Sequence, residues 1–125
     1  MRALFSALNN LPRPARLAIY GLACLILLYI TLAPGKDVPE VGIVWDKAEH
    51  AIAWAVLTGA GLLLSTRRRW AIPLFAFLFG AAVEILQTAM PFGRDGDWRD
   101  LAADSVGIAV AYVAWLGMRR LGWVR

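Results

Sequence analysis

The chain is poor in the side chains from which most enzyme signatures are built. It has one cysteine in 125 residues, Cys24, so it can form no internal disulfide and contains no cysteine-based metal pattern. It has no CxxC pair, no serine in a nucleophile elbow and no glycine-rich phosphate loop. Thiol redox centres and P-loop nucleotide chemistry are thereby excluded, and nothing in the motif content calls for a cofactor. Charge is scarce as well, with Asp, Glu, Lys and Arg making up 18% of the residues. The net charge of +4 comes from cations in short clusters beside apolar runs, not from a basic stripe interleaved with aromatics. That arrangement speaks against a nucleic-acid partner and for membrane topology.

What is abundant is hydrocarbon. Hydrophobic residues make up 60% of the chain and the mean hydropathy is +0.60, whereas about half is usual in a soluble domain. The reading is an all-α integral membrane protein of one domain, a four-helix antiparallel bundle whose first partner is the lipid bilayer. The expected spans are 17–33, 48–65, 70–90 and 101–118, after a basic flank (1–16) and before a basic tail (119–125). A short amphipathic stretch is expected at 4–11. Residues 17–33 carry no charge, and at about 1.5 Å per residue they just cross a bilayer core. A cleaved signal peptide is the competing reading of that run, since Ala33 is small, but Pro34 follows at once and the run exceeds a usual signal core. Cys24, in its middle, reads as packing. Residues 34–47 read as a loop, with Asp46 as the N-cap of the second span.

Orientation follows from the cations. Arg2, Arg13, Arg16, Arg67, Arg68, Arg69, Arg119, Arg120 and Arg125 fall on one side, and Lys36, Lys47, Arg94 and Arg99 on the other. The positive-inside rule then places both termini and the turn at Arg67, Arg68 and Arg69 in the cytoplasm. The two loops on the opposite side carry Asp37, Glu40, Asp46, Asp95, Asp97 and Asp100 and face outward. Small residues at four-residue spacing, Ala55 and Gly59, Ala76 and Gly80, then Ala103, Gly107 and Ala111, give weak support for close packing of the last three spans.

The acids are not scattered. Asp97, Asp100 and Asp104 recur at i, i+3 and i+7, which stacks three carboxylates on one helix face. Asp46 and His50 form an i, i+4 pair at the outer end of the second span, and Glu84 and Gln87 lie in the last turns of the third. All of these come out at one level, although a charge in lipid costs at least ~2.5 kcal/mol even on lenient scales. Glu84 has two readings, an ion-paired residue that fixes bundle register or a group gripping a headgroup, a proton or a metal. His50 is read as a helix-end residue or as a base or ligand, and Asp97 as a cap of the last span beside an interfacial Trp98. Lys47, Arg94 and Arg99 offer a site for a phosphate or carboxylate. His50 with Glu84, Asp97, Asp100 and Asp104 offers instead an oxygen-rich divalent-metal site.

In order, Asp46-Lys47-x-x-His50, Glu84-x-x-Gln87 and Pro91-x-Gly-Arg94-x-x-Asp97-x-x-Asp100-x-x-x-Asp104-x-x-Gly107 resemble the VanZ-like family of small bacterial membrane proteins. The resemblance covers roughly 46–117, with 17–33 fitting the family's usual first span. It implies that Asp46, Lys47, His50, Glu84, Gln87, Arg94, Asp97, Asp100 and Gly107 are signature positions. Position 104 is usually Asn in the family and is Asp in this chain, so the resemblance implies no mechanism that needs a carboxylate there. The family takes its name from a protein associated with low-level teicoplanin resistance, which implies a role at the cell envelope.

The first expectation is therefore a non-enzymatic protein whose outward-facing polar pocket binds an envelope lipid headgroup or a membrane-protein partner. The runner-up is a metal-dependent hydrolase or transferase acting on a lipid-linked substrate, with His50 or Glu84 as general base. A purely structural subunit of a larger complex is the third reading.

Overall fold

The computed structural model describes residues 1–32, 43–90 and 96–124, without the side chains of 43–45. All regular structure among them is helical: α1 (Arg2–Asn10), α2 (Arg13–Leu32), α3 (Ile43–Leu64), α4 (Ala71–Ala89) and α5 (Trp98–Arg120). Most of the expected outer loops, residues 33–42 and 91–95 with Arg94 among them, lies outside the described residues. Residues 43–47 belong to a helix and not to a loop. Asp46 accordingly sits in the first turn of α3 and is not its N-cap, as the sequence had suggested.

Among the described residues, three helices are long and apolar enough to cross a membrane: α2, α4 and α5. This corrects the expectation of four such spans. The exception, α3, has the length, at 22 residues, but takes Asp46, Lys47, Glu49 and His50 into its first two turns. Those four side chains lower its hydropathy, and two of them, Lys47 and His50, pair with acids of α5 and its cap.

The helix ends follow from local chemistry. Pro73 lies in the first turn of α4, where its missing N–H has no helical acceptor to disappoint. Asp97 caps α5, its carboxylate accepting from the Arg99 N–H at 2.9 Å. At the far end of α5, Arg119 and Arg120 occupy the last turn, where cations suit the helix dipole, and Gly122 follows with φ of 69°.

Hydrogen bonds between helices give their directions. Arg16 at the start of α2 donates to the Leu64 carbonyl at the end of α3 (2.8 Å), so these two run antiparallel. Gln87 near the end of α4 donates to the Thr31 carbonyl near the end of α2 (2.7 Å), so that pair runs in one direction. His50 in α3 meets Asp104 in α5 within the first turns of both, which makes α3 and α5 a parallel pair. This pair has the most extensive contact in the molecule, and α3 also touches α1, α2 and α4. The charged helix is thus the central one.

Gly107 makes the α3–α5 contact possible. A Cβ at this position would overlap the Ala51 carbonyl oxygen and lie 3.0 Å from the Ala55 nitrogen. Gly59, expected at such a contact, has open space where a Cβ would go. Apolar side chains pack in two clusters: Phe5, Leu62, Trp115 and Val124 at the arginine-rich end, and Trp54, Ala76, Val83 and Ile108 nearer the acids. Outside them, Leu22, Leu25, Ile26 and Tyr29 of α2 are exposed, as are Phe77, Leu78 and Ile85 of α4 and Val106, Val110 and Val113 of α5. Such apolar exteriors suit hydrocarbon surroundings.

Candidate functional site

The starts of α3 and α5 and the end of α4 converge at one end of the bundle. There Lys47 is the hub of the outer layer. Its Nζ lies 3.2 Å from Asp46 Oδ2 and 3.2 Å from Asp97 Oδ2, and it forms a further ion pair with Asp100. One turn along α3, His50 forms the inner layer. Its Nδ1 lies 2.9 Å from Asp104 Oδ1, while its Nε2 faces Asp100 Oδ2 at 3.6 Å, beyond hydrogen-bond length. Asp100 therefore faces both layers, with one oxygen toward the lysine and the other toward the imidazole.

Glu84 approaches from α4. Its Oε2 accepts the backbone N–H of Asp97 at 2.7 Å, tying the end of α4 to the cap of α5. Gly96 permits that approach, since a Cβ there would lie 2.7 Å from the Glu84 carbonyl oxygen and would overlap Thr88 Oγ1. Asp97 thus serves as cap, as partner of Lys47 and as donor to Glu84. Its carboxyl is held below the usual carboxylate range, first by the Arg99 N–H and further by Lys47.

Two carboxylate oxygens at the site are buried with no hydrogen-bond partner among the described residues: Glu84 Oε1 and Asp104 Oδ2. Asp104 is completely buried, and Glu84 is 9% exposed. Each carboxylate has a partner on its other oxygen, but a buried oxygen left without one is costly, and either a proton or a cation relieves it. The donor chemistry suits a cation. His50, Glu84 and Asp104 each offer one ligand atom within 4.8 Å of the others, as do Asp46, His50 and Asp100. One imidazole nitrogen with carboxylate oxygens is a set that divalent first-row metals accept.

The charges do not balance. Asp46, Glu84, Asp97, Asp100 and Asp104 bring five carboxylates to Lys47 and His50. Of the three cations expected to form an anion site, Lys47 is engaged by three carboxylates. Arg99 is exposed and makes no ion pair among the described residues, and Arg94 lies outside them. Gln87 stands apart from the acids, its amide nitrogen bonded to Thr31 and its oxygen without a partner.

Sequence reasoning missed the floor of the site. Trp54, one turn beyond His50, is fully buried, stacks with the imidazole at 5.8 Å and donates its indole N–H to the Ala76 carbonyl of α4 at 2.9 Å. Gly80 makes room for it: a Cβ there would sit 2.9 Å from Asp104 Oδ2 and 3.0 Å from Trp54 Nε1. The available signal was the i, i+4 spacing of His50 and Trp54 on a single face.

The order of motifs, the convergence of their side chains and a comparison with known families agree. Curated proteins and solved structures return no match. The family model described as VanZ/LLP1 matches residues 17–120, which take in α3, α4 and α5, all but the first four residues of α2, and every residue of the acidic cluster. The chain belongs to the VanZ/LLP1 family.

Proposed function

We propose that this VanZ/LLP1 protein resides in the bacterial inner membrane with both termini in the cytoplasm, and that its acidic cluster opens to the outer face. There it binds a divalent cation and through it the phosphate of an envelope lipid headgroup. The excess of arginine at one end of the bundle supports the orientation. The contacts of α3 with every other helix support a fourth helix inside the bilayer. The observation that carries the cation is the pair of buried, unpartnered oxygens on Glu84 and Asp104 beside His50. A phosphate cannot approach five carboxylates unaided. A divalent ion held by some of them inverts the local field and supplies the open coordination positions.

A second reading, hydrolysis or group transfer on a lipid-linked substrate, is favoured by one feature. Asp104 holds His50 Nδ1, an arrangement that orients an imidazole to act through its other nitrogen as base or ligand.

The test is metal content. Protein purified in detergent, stripped and re-equilibrated with Mn²⁺, Zn²⁺ or Mg²⁺, is expected to retain one ion per chain. The Glu84→Gln/Asp104→Asn variant is expected to lose it while keeping its helicity. Absence of stoichiometric metal in the wild type would overturn the proposal. Metal-dependent turnover of a lipid-linked phosphate, abolished in His50→Ala, would favour the second reading.

A further inference from the structure

The opposite end of the bundle holds a cavity of about 700 Å³ between the start of α2, the end of α3 and the 65–70 turn. Four arginines line it, Arg13, Arg16, Arg67 and Arg68, together with apolar Leu17 and Ile72. Arg16 is committed to the fold, donating to the carbonyls of Leu64 and Leu11 and to Thr66 Oγ1. The other three guanidinium groups make no ion pair or hydrogen bond among the described residues. Every acid described lies at or near the far end of the bundle, so nothing at this end neutralises them. Three exposed, unpaired guanidinium groups thus line one cavity, and an anion entering it meets positive charge with no competing acid nearby among the described residues.

The backbone is shaped around this cavity. Arg68 adopts φ of 50°, a left-handed conformation that a residue with a Cβ rarely takes. The turn that imposes it is closed by Ser65 Oγ donating to the Arg67 carbonyl (2.6 Å) and Arg69 Nε donating to the Ser65 carbonyl (3.0 Å). Gly61 lets Tyr20 and Ile72 come close, for a Cβ there would lie 2.7 Å from Ile72 Cγ2 and 3.0 Å from the Tyr20 ring. The Tyr20 hydroxyl is buried with no hydrogen-bond partner among the described residues, on a residue that lines the same cavity.

We propose that this cavity binds the phosphate headgroup of an anionic membrane lipid, with Arg13, Arg67 and Arg68 holding the phosphate and the apolar lining receiving the start of an acyl chain. Guanidinium groups match phosphate oxygens in geometry and charge, and a basic pocket between membrane helices is where such headgroups lodge. A free phosphate offers the same charge but fills little of a space this large and uses none of its apolar lining. The site is distinct from the acidic cluster, and its test involves neither metal nor His50.

The probes are short-chain phosphatidylglycerol, short-chain phosphatidylcholine and inorganic phosphate, titrated into the full chain in neutral detergent and read by native mass spectrometry and intrinsic fluorescence. Phosphatidylglycerol is expected to bind at one molecule per chain, at least about tenfold tighter than either alternative. An Arg13→Gln/Arg67→Gln/Arg68→Gly variant, with helicity retained, is expected to lose at least about tenfold of that affinity. The glycine relieves the left-handed backbone, and Arg16 is left in place to keep the turn intact. Equal binding of phosphatidylcholine, or unchanged phosphatidylglycerol binding in the variant, would overturn the proposal. Inorganic phosphate binding as tightly as the lipid would replace it with a free-anion site.

Discussion

Replacing Gly107 by alanine adds one methyl group at the tightest point between α3 and α5. Helix propensity favours alanine over glycine by about 1 kcal/mol. At Gly59, with nothing within 4 Å of the new Cβ, that gain is kept. At Gly107 the methyl overlaps the Ala51 carbonyl oxygen and comes within 2.8 Å of its carbonyl carbon. Both are backbone atoms, so no side chain can rotate away and the two helices must separate. Overpacking of this kind costs about 1–3 kcal/mol. Since both substitutions share the propensity gain, Gly107→Ala should be less stable than Gly59→Ala by about that same 1–3 kcal/mol. The shift also pulls on Asp104, nearly one turn before Gly107, and lengthens its bond to His50. Unfolding of both variants in one detergent, followed by loss of helical circular dichroism, measures the difference. Equal stability would show that α3 and α5 are not packed as described and refute the reasoning.

Two further outcomes follow from the site. Asn at position 104 can still accept from His50 Nδ1, whereas Ala removes the acceptor and leaves a buried imidazole N–H. Asp104→Ala should therefore be less stable than Asp104→Asn by about 1–3 kcal/mol in the same unfolding assay. The Asp97 carboxyl is depressed in the folded protein, so the stabilisation it gives is fully present above its ordinary value of 3.8 and is lost as pH falls through the lower folded value. Hydrogen exchange at the start of α5, corrected for the intrinsic pH dependence, should accelerate below about pH 3.8 in the wild type, and Asp97→Asn should remove that step.

The pattern of polar residues in apolar runs was enough to place Asp46, Lys47, His50, Glu84, Asp97, Asp100 and Asp104 at one end of a helical bundle, because each helix fixes its own register. Asp97 as the cap of the last helix was legible for the same local reason. Which charges meet was not. Lys47 reads equally well as a free cation or as the counterion of any nearby acid, and only the parallel docking of α3 against α5 surrounds it with Asp97 and Asp100. That docking depends on Gly107, which meets Ala51 and Ala55 of α3; of the two small residues that the spacing had marked on this helix, Ala55 lies at the contact and Gly59 does not. Trp54 was overlooked because a tryptophan in an apolar run reads as lipid-facing or core until the Ala76 carbonyl and Gly80 are seen beside it. The start of α3 was placed late because Asp46 is a good capping residue by type, yet the helix begins at Ile43.

The central position of α3 bears on how the protein is made. Lys47 leaves the ribosome 53 residues ahead of Asp100, its partner on the last helix. Until α5 is made, the Lys47 ammonium has only Asp46 of its ion-pair partners beside it, and α3, unlike α2 and α4, is not apolar enough to count as a membrane span by composition. The helix that organises the finished bundle is thus the one least able to hold its place unaided, and it stays provisional until the final helix arrives. A chain that ends before α5 leaves Lys47 without Asp97 and Asp100, and it is expected to hold α3 less firmly than the full chain does.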